Sequence, residues 1–256
     1  RRPFIEGVHN GEKRTFLIDS GCQDIILNSR YIPNEEVDQE GKGMGLTGSF
    51  QLLWTPLGKL SFGDWEFESD EVCAMDMTHL EEEDFGIPVH GMIGFRQLVH
   101  YDWLIDYKKN ELHLWSRFPK KDYKIKAKLR CSYQNHLPII DVLIGGKKLR
   151  LLVDTGCEFI VIDEQKKHLL ESVVTFKGVE QIASASTDKA DMLAGNIQGF
   201  QVAGLDFGPS EIKFTNMDRI VQAYGVCDGI IGYDLLSQYP IVQSWNVKTF
   251  YFLETE

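Results

Sequence analysis

A chain of 256 residues with a net charge of −11 is poorly suited to nucleic acid, because phosphate capture needs clustered Lys and Arg and the basic residues here are scattered. Its 43% hydrophobic and 25% charged residues exclude a disordered chain, and its length admits one large domain or two of about 100 to 150 residues. No apolar run approaches the roughly 18 residues of a membrane helix, so no membrane span is expected.

In chain order, the first predicted element is a hairpin. "FIEGVHNGEKRTFLID" (4–19) places two strand-like runs around a turn at Asn10 and Gly11, and its second strand delivers Asp-Ser-Gly-Cys at 19–22. The glycine-rich "GKGMGLTGSFQLLW" (41–54) suits either a mobile hairpin or a flexible loop, with Gly45 and Gly48 permitting close backbone approach to a ligand. It fails as a phosphate-binding loop because Gly48 is followed by Ser49 and not by Lys and a hydroxyl residue. Short β-type segments follow in "GKLSFGDWEFESDEVCAM" (58–75), and "EEEDF" (81–85) reads as a solvated loop. "HGMIGFRQL" (90–98) combines a Gly-x-x-Gly with a short helix over Phe95–Val99, and "WLIDYKKNELHLW" (103–115) closes the half with a hairpin.

A connection near 116–130 contains the basic stretch "KKDYKIKAKLR" (120–130), read as a solvated linker and strand with a binding patch as the alternative. The same series then repeats. "LPIIDVLIGGKKLRLLVD" (137–154) turns at Gly145 and Gly146 and delivers Asp-Thr-Gly-Cys at 154–157. A short helix is expected over Asp163–Leu170, a reduced second flap or a loop over "QIASASTDKADML" (181–193), and β-type segments over "GFQVAGLDFGPSEIKF" (199–214). "DGIIGYDLL" (228–236) and a helix over Tyr233–Gln238 precede a closing hairpin, "IVQSWNVKTFYFL" (241–253). Asp19 and Asp154 lie 135 residues apart, Gly91 and Gly229 138 apart, which is the signature of a duplicated unit. The expected class is all-β, in two similar lobes at 1–118 and 119–256.

An acid that ends an apolar strand is costly to desolvate and needs hydrogen bonds or a charge partner. Gly21 and Gly156 allow a tight turn that brings amide N–H groups to the acid, and Ser20 and Thr155 supply hydroxyls to anchor it. If a pseudo-twofold relates the halves, Asp19 faces Asp154. Two carboxyl groups forced together share a proton and titrate as a pair. Such a pair holds both an acid and a base for activating water and polarising an amide carbonyl.

"LIDSGC" and "LVDTGC", trailed by "MIGF" and "IIGY", resemble the two halves of a pepsin-like or retropepsin-like aspartic protease. The resemblance spans nearly the whole chain. It implies two β-barrel lobes with a cleft between them, and aspartic endopeptidase activity on a peptide or protein substrate with no cofactor and no metal. It implies a monomer, since one chain carries both acids. Asp19 and Asp154 become the catalytic pair, and Ser20 and Thr155 the hydroxyls that lock the loops. Gly21, Gly156, Ile93, Gly94, Ile231 and Gly232 become supports. Gln23, Asp24, Glu158 and Phe159 take the substrate-contact positions of retropepsins, with Gly45 and Gly48 in the flap.

The pattern departs from the family at Cys22 and Cys157, where Ala or Ser is usual, and in lacking the pepsin-type flap tyrosine. These thiols are either small buried fillers or groups that tune the acids. A thiol-dependent hydrolase and a catalytically silent peptide-binding module on the same fold stand as alternatives. The remaining cysteines (Cys73, Cys131, Cys227) complete no C-x-x-C pair, and the seven histidines, His136 among them, show no metal spacing. Family habit and a first residue, Arg1, that is not Met lead to an extracytoplasmic expectation, secreted or periplasmic with a signal peptide removed, with a cytoplasmic address as the alternative.

Overall fold

The computed structural model describes residues 2–33, 38–134, 137–225 and 227–254; Arg1 and His136 lie outside them. Both leading hairpins form where their turn chemistry requires. Asn10 and Gly11 hold φ of 50° and 87°, and Gly145 and Gly146 hold 55° and 76°. Two successive positive φ values give the tight turn whose twist matches paired strands. In the first half, β1 (Phe4–His9) therefore pairs with β2 (Glu12–Ile18), with Phe4 opposite Leu17 and His9 opposite Glu12.

The remaining first-half strands are β3 (Ile26–Asn28), β4 (Asp38–Met44), β5 (Ser49–Thr55), β6 (Gly58–Phe62), β7 (Trp65–Ser69), β8 (Val72–Met75) and β9 (Gly91–Ile93). They form a nine-stranded sheet in the order β4-β5-β8-β3-β9-β2-β1-β6-β7. Next come β10 (Asp102–Asp106), β11 (Glu111–Trp115), β12 (Ile125–Arg130) and β13 (Ser132–Gln134). The second half then supplies β14 (Leu137–Ile144), β15 (Lys147–Val153), β16 (Ile160–Asp163), β17 (Val174–Ala183), β18 (Lys189–Ile197), β19 (Phe200–Val202), β20 (Leu205–Phe207), β21 (Ser210–Thr215) and β22 (Gly229–Ile231). Their order, β17-β18-β21-β16-β22-β15-β14-β19-β20 with β13 beside β14, repeats the first sheet strand for strand.

The closing hairpins are shared. β10 and β11 join β23 (Ile241–Ser244) and β24 (Thr249–Leu253) in a five-stranded sheet, β11-β10-β23-β24-β12, with Trp103 of one half opposite Gln243 of the other. Trp103, Ile105, Ile241, Phe250 and Phe252 are buried in the core beneath it. The strands that lead to the two acids end in runs with no exposed face: Phe16, Leu17 and Ile18 in β2, and Leu151, Leu152 and Val153 in β15. Each such side chain contributes roughly 1.5–3 kcal/mol on burial, which fixes the register of the polar residue that follows.

Strand dominates, as expected, but several details differ. Closed barrels are not seen: among the described residues the end strands of each sheet, β4 and β7 or β17 and β20, do not pair. The "EEEDF" segment is not a solvated loop but a wide helical turn over Glu81–Phe85. Glu81 is buried because it accepts the Val89 amide at 2.6 Å, the Tyr31 hydroxyl at 2.9 Å and Arg30 at 3.1 Å. The second flap region is a full hairpin of β17 and β18, longer than its first-half counterpart. A helix over Asp218–Tyr224, absent from the sequence reading, precedes β22. No helix among the described residues is long and apolar enough to cross a membrane.

Candidate active site

Parallel pairing brings each glycine motif beside an acid. β2 lies along β9 with Ile18 opposite Ile93, and the Asp19 amide donates to the Ile93 carbonyl at 3.0 Å. β15 lies along β22 with Val153 opposite Ile231, and Asp154 donates to Ile231 at 3.0 Å. Behind each loop a short helix starts: Phe95 and Arg96 donate to the Cys22 and Gln23 carbonyls at 2.8 and 2.9 Å, and Tyr233 and Asp234 to Cys157 and Glu158 at 2.9 and 3.0 Å. Gly94 and Gly232 are obligatory here, because a side chain at either would run into the backbone of Asp24 or Cys157.

The loops are locked to each other by reciprocal bonds. The Ser20 amide donates to Thr155 Oγ1 at 2.9 Å and the Thr155 amide to Ser20 Oγ at 3.0 Å. Each hydroxyl in turn donates to the strand opposite, Ser20 to the Val153 carbonyl at 3.0 Å and Thr155 to the Ile18 carbonyl at 2.7 Å. Both residues are fully buried, and the amide and hydroxyl of each find their partners in the other half of the chain.

The Asp19 and Asp154 carboxyl groups come together at this junction, each perturbing the other's protonation. Each also sits against the other loop's glycine: a Cβ on Gly21 would lie 2.5 Å from the Asp154 carboxyl carbon, and one on Gly156 2.6 Å from that of Asp19. Only glycine permits the carboxyl groups to meet. Burial raises both above the ordinary carboxylate range, but unequally. Asp19 accepts the Gly21 and Cys22 amides at 2.9 and 3.0 Å, which partly offset the desolvation. Asp154 accepts the Gly156 amide at 2.8 Å and is pushed up further, by burial and by the charge of Asp19. The pair is therefore disposed to share a proton, and the second amide at Asp19 favours the charge there over Asp154.

The candidate contact residues flank this pair. Asp24 meets Arg96 at 3.0 Å and Glu158 faces Arg2 at 3.8 Å. Gln23 is half-buried. The Phe159 ring carries the Lys213 ammonium 4.2 Å from its centre. Gly45 and Gly48 are not at the acids. They sit at the β4–β5 tip, where the Thr47 hydroxyl bonds Ser184 and Ser186 at 2.7 and 2.9 Å at the tip of the β17–β18 hairpin. The tips cross over, Leu46 packing on the cluster of Met217 and Ile220 and Ala185 on that of Met75 and Met92.

Several participants had no local sequence signal. Arg2 donates Nε–H to the Gly156 carbonyl at 2.6 Å, forks onto Asp84 at 2.8 and 2.9 Å, and lies 5.2 Å over Phe85. Its charge lowers the proton affinity of both acids. Lys213 is buried between Glu180 at 2.7 Å and Glu211 at 3.0 Å; burial opposes its charge, yet the two carboxylates hold its pKa above the ordinary value. Beneath the loops, aromatic pairs cross between halves: Phe95 with Trp245 at 4.4 Å, and Tyr233 with Tyr107 at 5.1 Å.

Cys22 and Cys157 donate their thiols to the Asp24 and Phe159 carbonyls at 3.2 and 3.3 Å. Burial and then the neighbouring acids, Asp19 and Asp154 respectively, push both thiols up, so they are protonated and poorly nucleophilic at neutral pH. Among the described residues no group of three or more His, Cys, Asp or Glu side chains is arranged to hold a metal ion. In comparison with known proteins, no family model matches the chain and no curated protein shows significant similarity to it.

Proposed function

We propose that the chain is an aspartic endopeptidase that hydrolyses peptide bonds through a water activated by Asp19 and Asp154. The observation that carries this reading is the meeting of two buried carboxyl groups, each against the other loop's glycine and held by the reciprocal Ser20–Thr155 bonds, where two sheets of repeated strand order come together. In this reading the sheets are the frames of two acid-protease lobes, related by a pseudo-twofold and divided near residue 118, and one chain suffices. Substrate lies extended between them under the β4–β5 and β17–β18 hairpins, with strand-like hydrogen bonds.

The Asp19 carboxylate takes a proton from water as the water oxygen bonds to the amide carbon, and Asp154 gives its proton to the carbonyl oxygen. A neutral geminal diol results, with the single proton of the pair now on Asp19. Asp19 passes that proton to the amide nitrogen, the C–N bond breaks, and a diol hydroxyl returns its proton to Asp154 as the carboxylic acid product forms. No covalent enzyme intermediate is required.

The test is incubation with a mixed peptide library across about pH 3 to 8, with and without a pepstatin-type transition-state mimic. Cleavage that the mimic blocks and that Asp19→Asn lacks supports the proposal. Peptide binding without products would favour the silent module, and cleavage abolished by thiol alkylation but indifferent to the mimic would favour a thiol enzyme.

A further inference from the structure

Residues 117–130 carry seven basic side chains and one acid, Asp122, in a chain whose net charge is −11. All seven are exposed. None has an ion-pair partner among the described residues, whereas Arg2, Arg30, Arg96, Lys166, Lys189 and Lys213 elsewhere each meet a carboxylate. Seven exposed cations thus fall within this one segment; Lys120 and Lys128 lie on the Tyr251 side of the sheet, while Lys126 turns over the Tyr239 ring at 4.9 Å. The acids near them are fewer: Asp122 within the segment, Glu111, which meets His113 at 3.1 Å, and Glu254, whose amide donates to the Lys124 carbonyl at 2.9 Å, so positive charge remains in excess.

The patch is broader than a line. It begins on the turn Lys120–Asp122 and continues along β12, the outermost strand of the five-stranded sheet, where Lys128 stands opposite Tyr251 and Arg130 opposite Thr249. Aromatic rings lie among the cations: Lys120 is 5.0 Å over Tyr251, and Tyr123 packs on Trp115 and Phe118 at 5.8 and 5.3 Å. Two apolar side chains stand out from the face, Ile125 between Lys124 and Lys126 at 36% exposure, and Val247 in the turn before Thr249 at 41%.

A lysine-lined outer strand discourages pairing with another strand, and an array extended in two directions fits a sheet of charges better than a single extended chain. We propose that this face is a peripheral docking surface for anionic lipid bilayers. The cations meet headgroup phosphates and carboxylates, and Ile125 enters the interfacial layer beside the amphipathic Trp115 and Tyr123 rings. The proposal is independent of the protease reading, since it uses none of the residues around Asp19 and Asp154.

The test is co-sedimentation of the full chain with vesicles of phosphatidylcholine alone and with about one third phosphatidylserine, at low and high salt. The expected result is partition onto the anionic vesicles only, released by salt. The variant Lys121→Gln/Lys124→Gln/Lys128→Gln, all at exposed positions, should lower partition about tenfold or more with an unchanged melting temperature. Ile125→Ser should lower it severalfold, and Lys148→Gln, whose lysine is paired with Asp141, should not change it. No partition, equal partition onto neutral vesicles, or wild-type behaviour of the triple variant would overturn the proposal. So would capture of an acidic peptide or RNA by a protein that ignores the vesicles.

Discussion

The loops at 19–24 and 154–159 share a backbone frame and differ in their hydrogen-bond donors and charges. Each acid bonds to the carbonyl of the isoleucine in its glycine motif, each hydroxyl crosses to the other half, and each glycine clears room for the opposite carboxyl group. Yet Asp19 accepts two amides and Asp154 one. Glu158 faces an arginine from the other half, while Asp24 meets Arg96 of its own. Duplication supplies a symmetric cradle, and a few unduplicated donors decide which acid keeps the proton.

The strongest way to break the comparison is to remove each acid in turn. Asp19→Asn and Asp154→Asn should each reduce peptide turnover by roughly 10³-fold or more, because the first removes the base and the second the acid. Their stabilities should differ. Asp154 has a folded pKa raised above its unfolded value, so its contribution to stability is complete below the unfolded pKa and is lost as pH rises through the folded one. Asp154→Asn should therefore melt higher than wild type at neutral pH and no higher near about pH 3, with a smaller gain for Asp19→Asn. Thermal melts across pH check this.

Breaking the lock tests whether the halves need each other. Ser20→Ala strips the Thr155 amide of its acceptor and the Val153 carbonyl of its donor. It should cost about 1–3 kcal/mol per orphaned group in denaturant unfolding. Thr155→Ser keeps its hydroxyl and should cost less than Thr155→Val.

Arg2→Gln sharpens the electrostatic difference. Without its charge both acids should bind protons more tightly, shifting the pH–rate profile upward, and Arg2→Lys should lie between. The smallest effect is expected at the thiols: Cys22→Ala and Cys157→Ala should each leave turnover within about threefold, measured beside an alkylation control.

The sequence carried the frame in strongly local terms. Asn10–Gly11 and Gly145–Gly146 marked the turns, continuous apolar runs marked buried strands, and the repeated Asp-hydroxyl-Gly marked the loops. What it withheld depends on long-range placement. Nothing next to Arg2 indicates that it will reach Gly156, nor does the lysine at 213, in an ordinary strand pattern, announce that Glu180 and Phe159 will surround it. The acidic run at 81–85 looked solvated because charge patterning is blind to the Val89 amide, Tyr31 and Arg30 that converge on Glu81. Likewise the 184–188 segment, rich in Ser and Thr, looked like a loose loop until its partner Thr47 was brought to it.

The central claim is one proton shared by Asp19 and Asp154 and held by Asp154. Titration of the aspartate carboxyl carbons by ¹³C NMR, assigned with the two Asn variants, tests it most directly. Two coupled resonances should titrate above the ordinary carboxylate range, Asp154 higher; Asp19→Asn should bring the Asp154 value down, because the neighbouring charge is gone, whereas Asp154→Asn should not lower that of Asp19. Two independent titrations in the ordinary range, each unmoved by replacing the partner, would contradict the account.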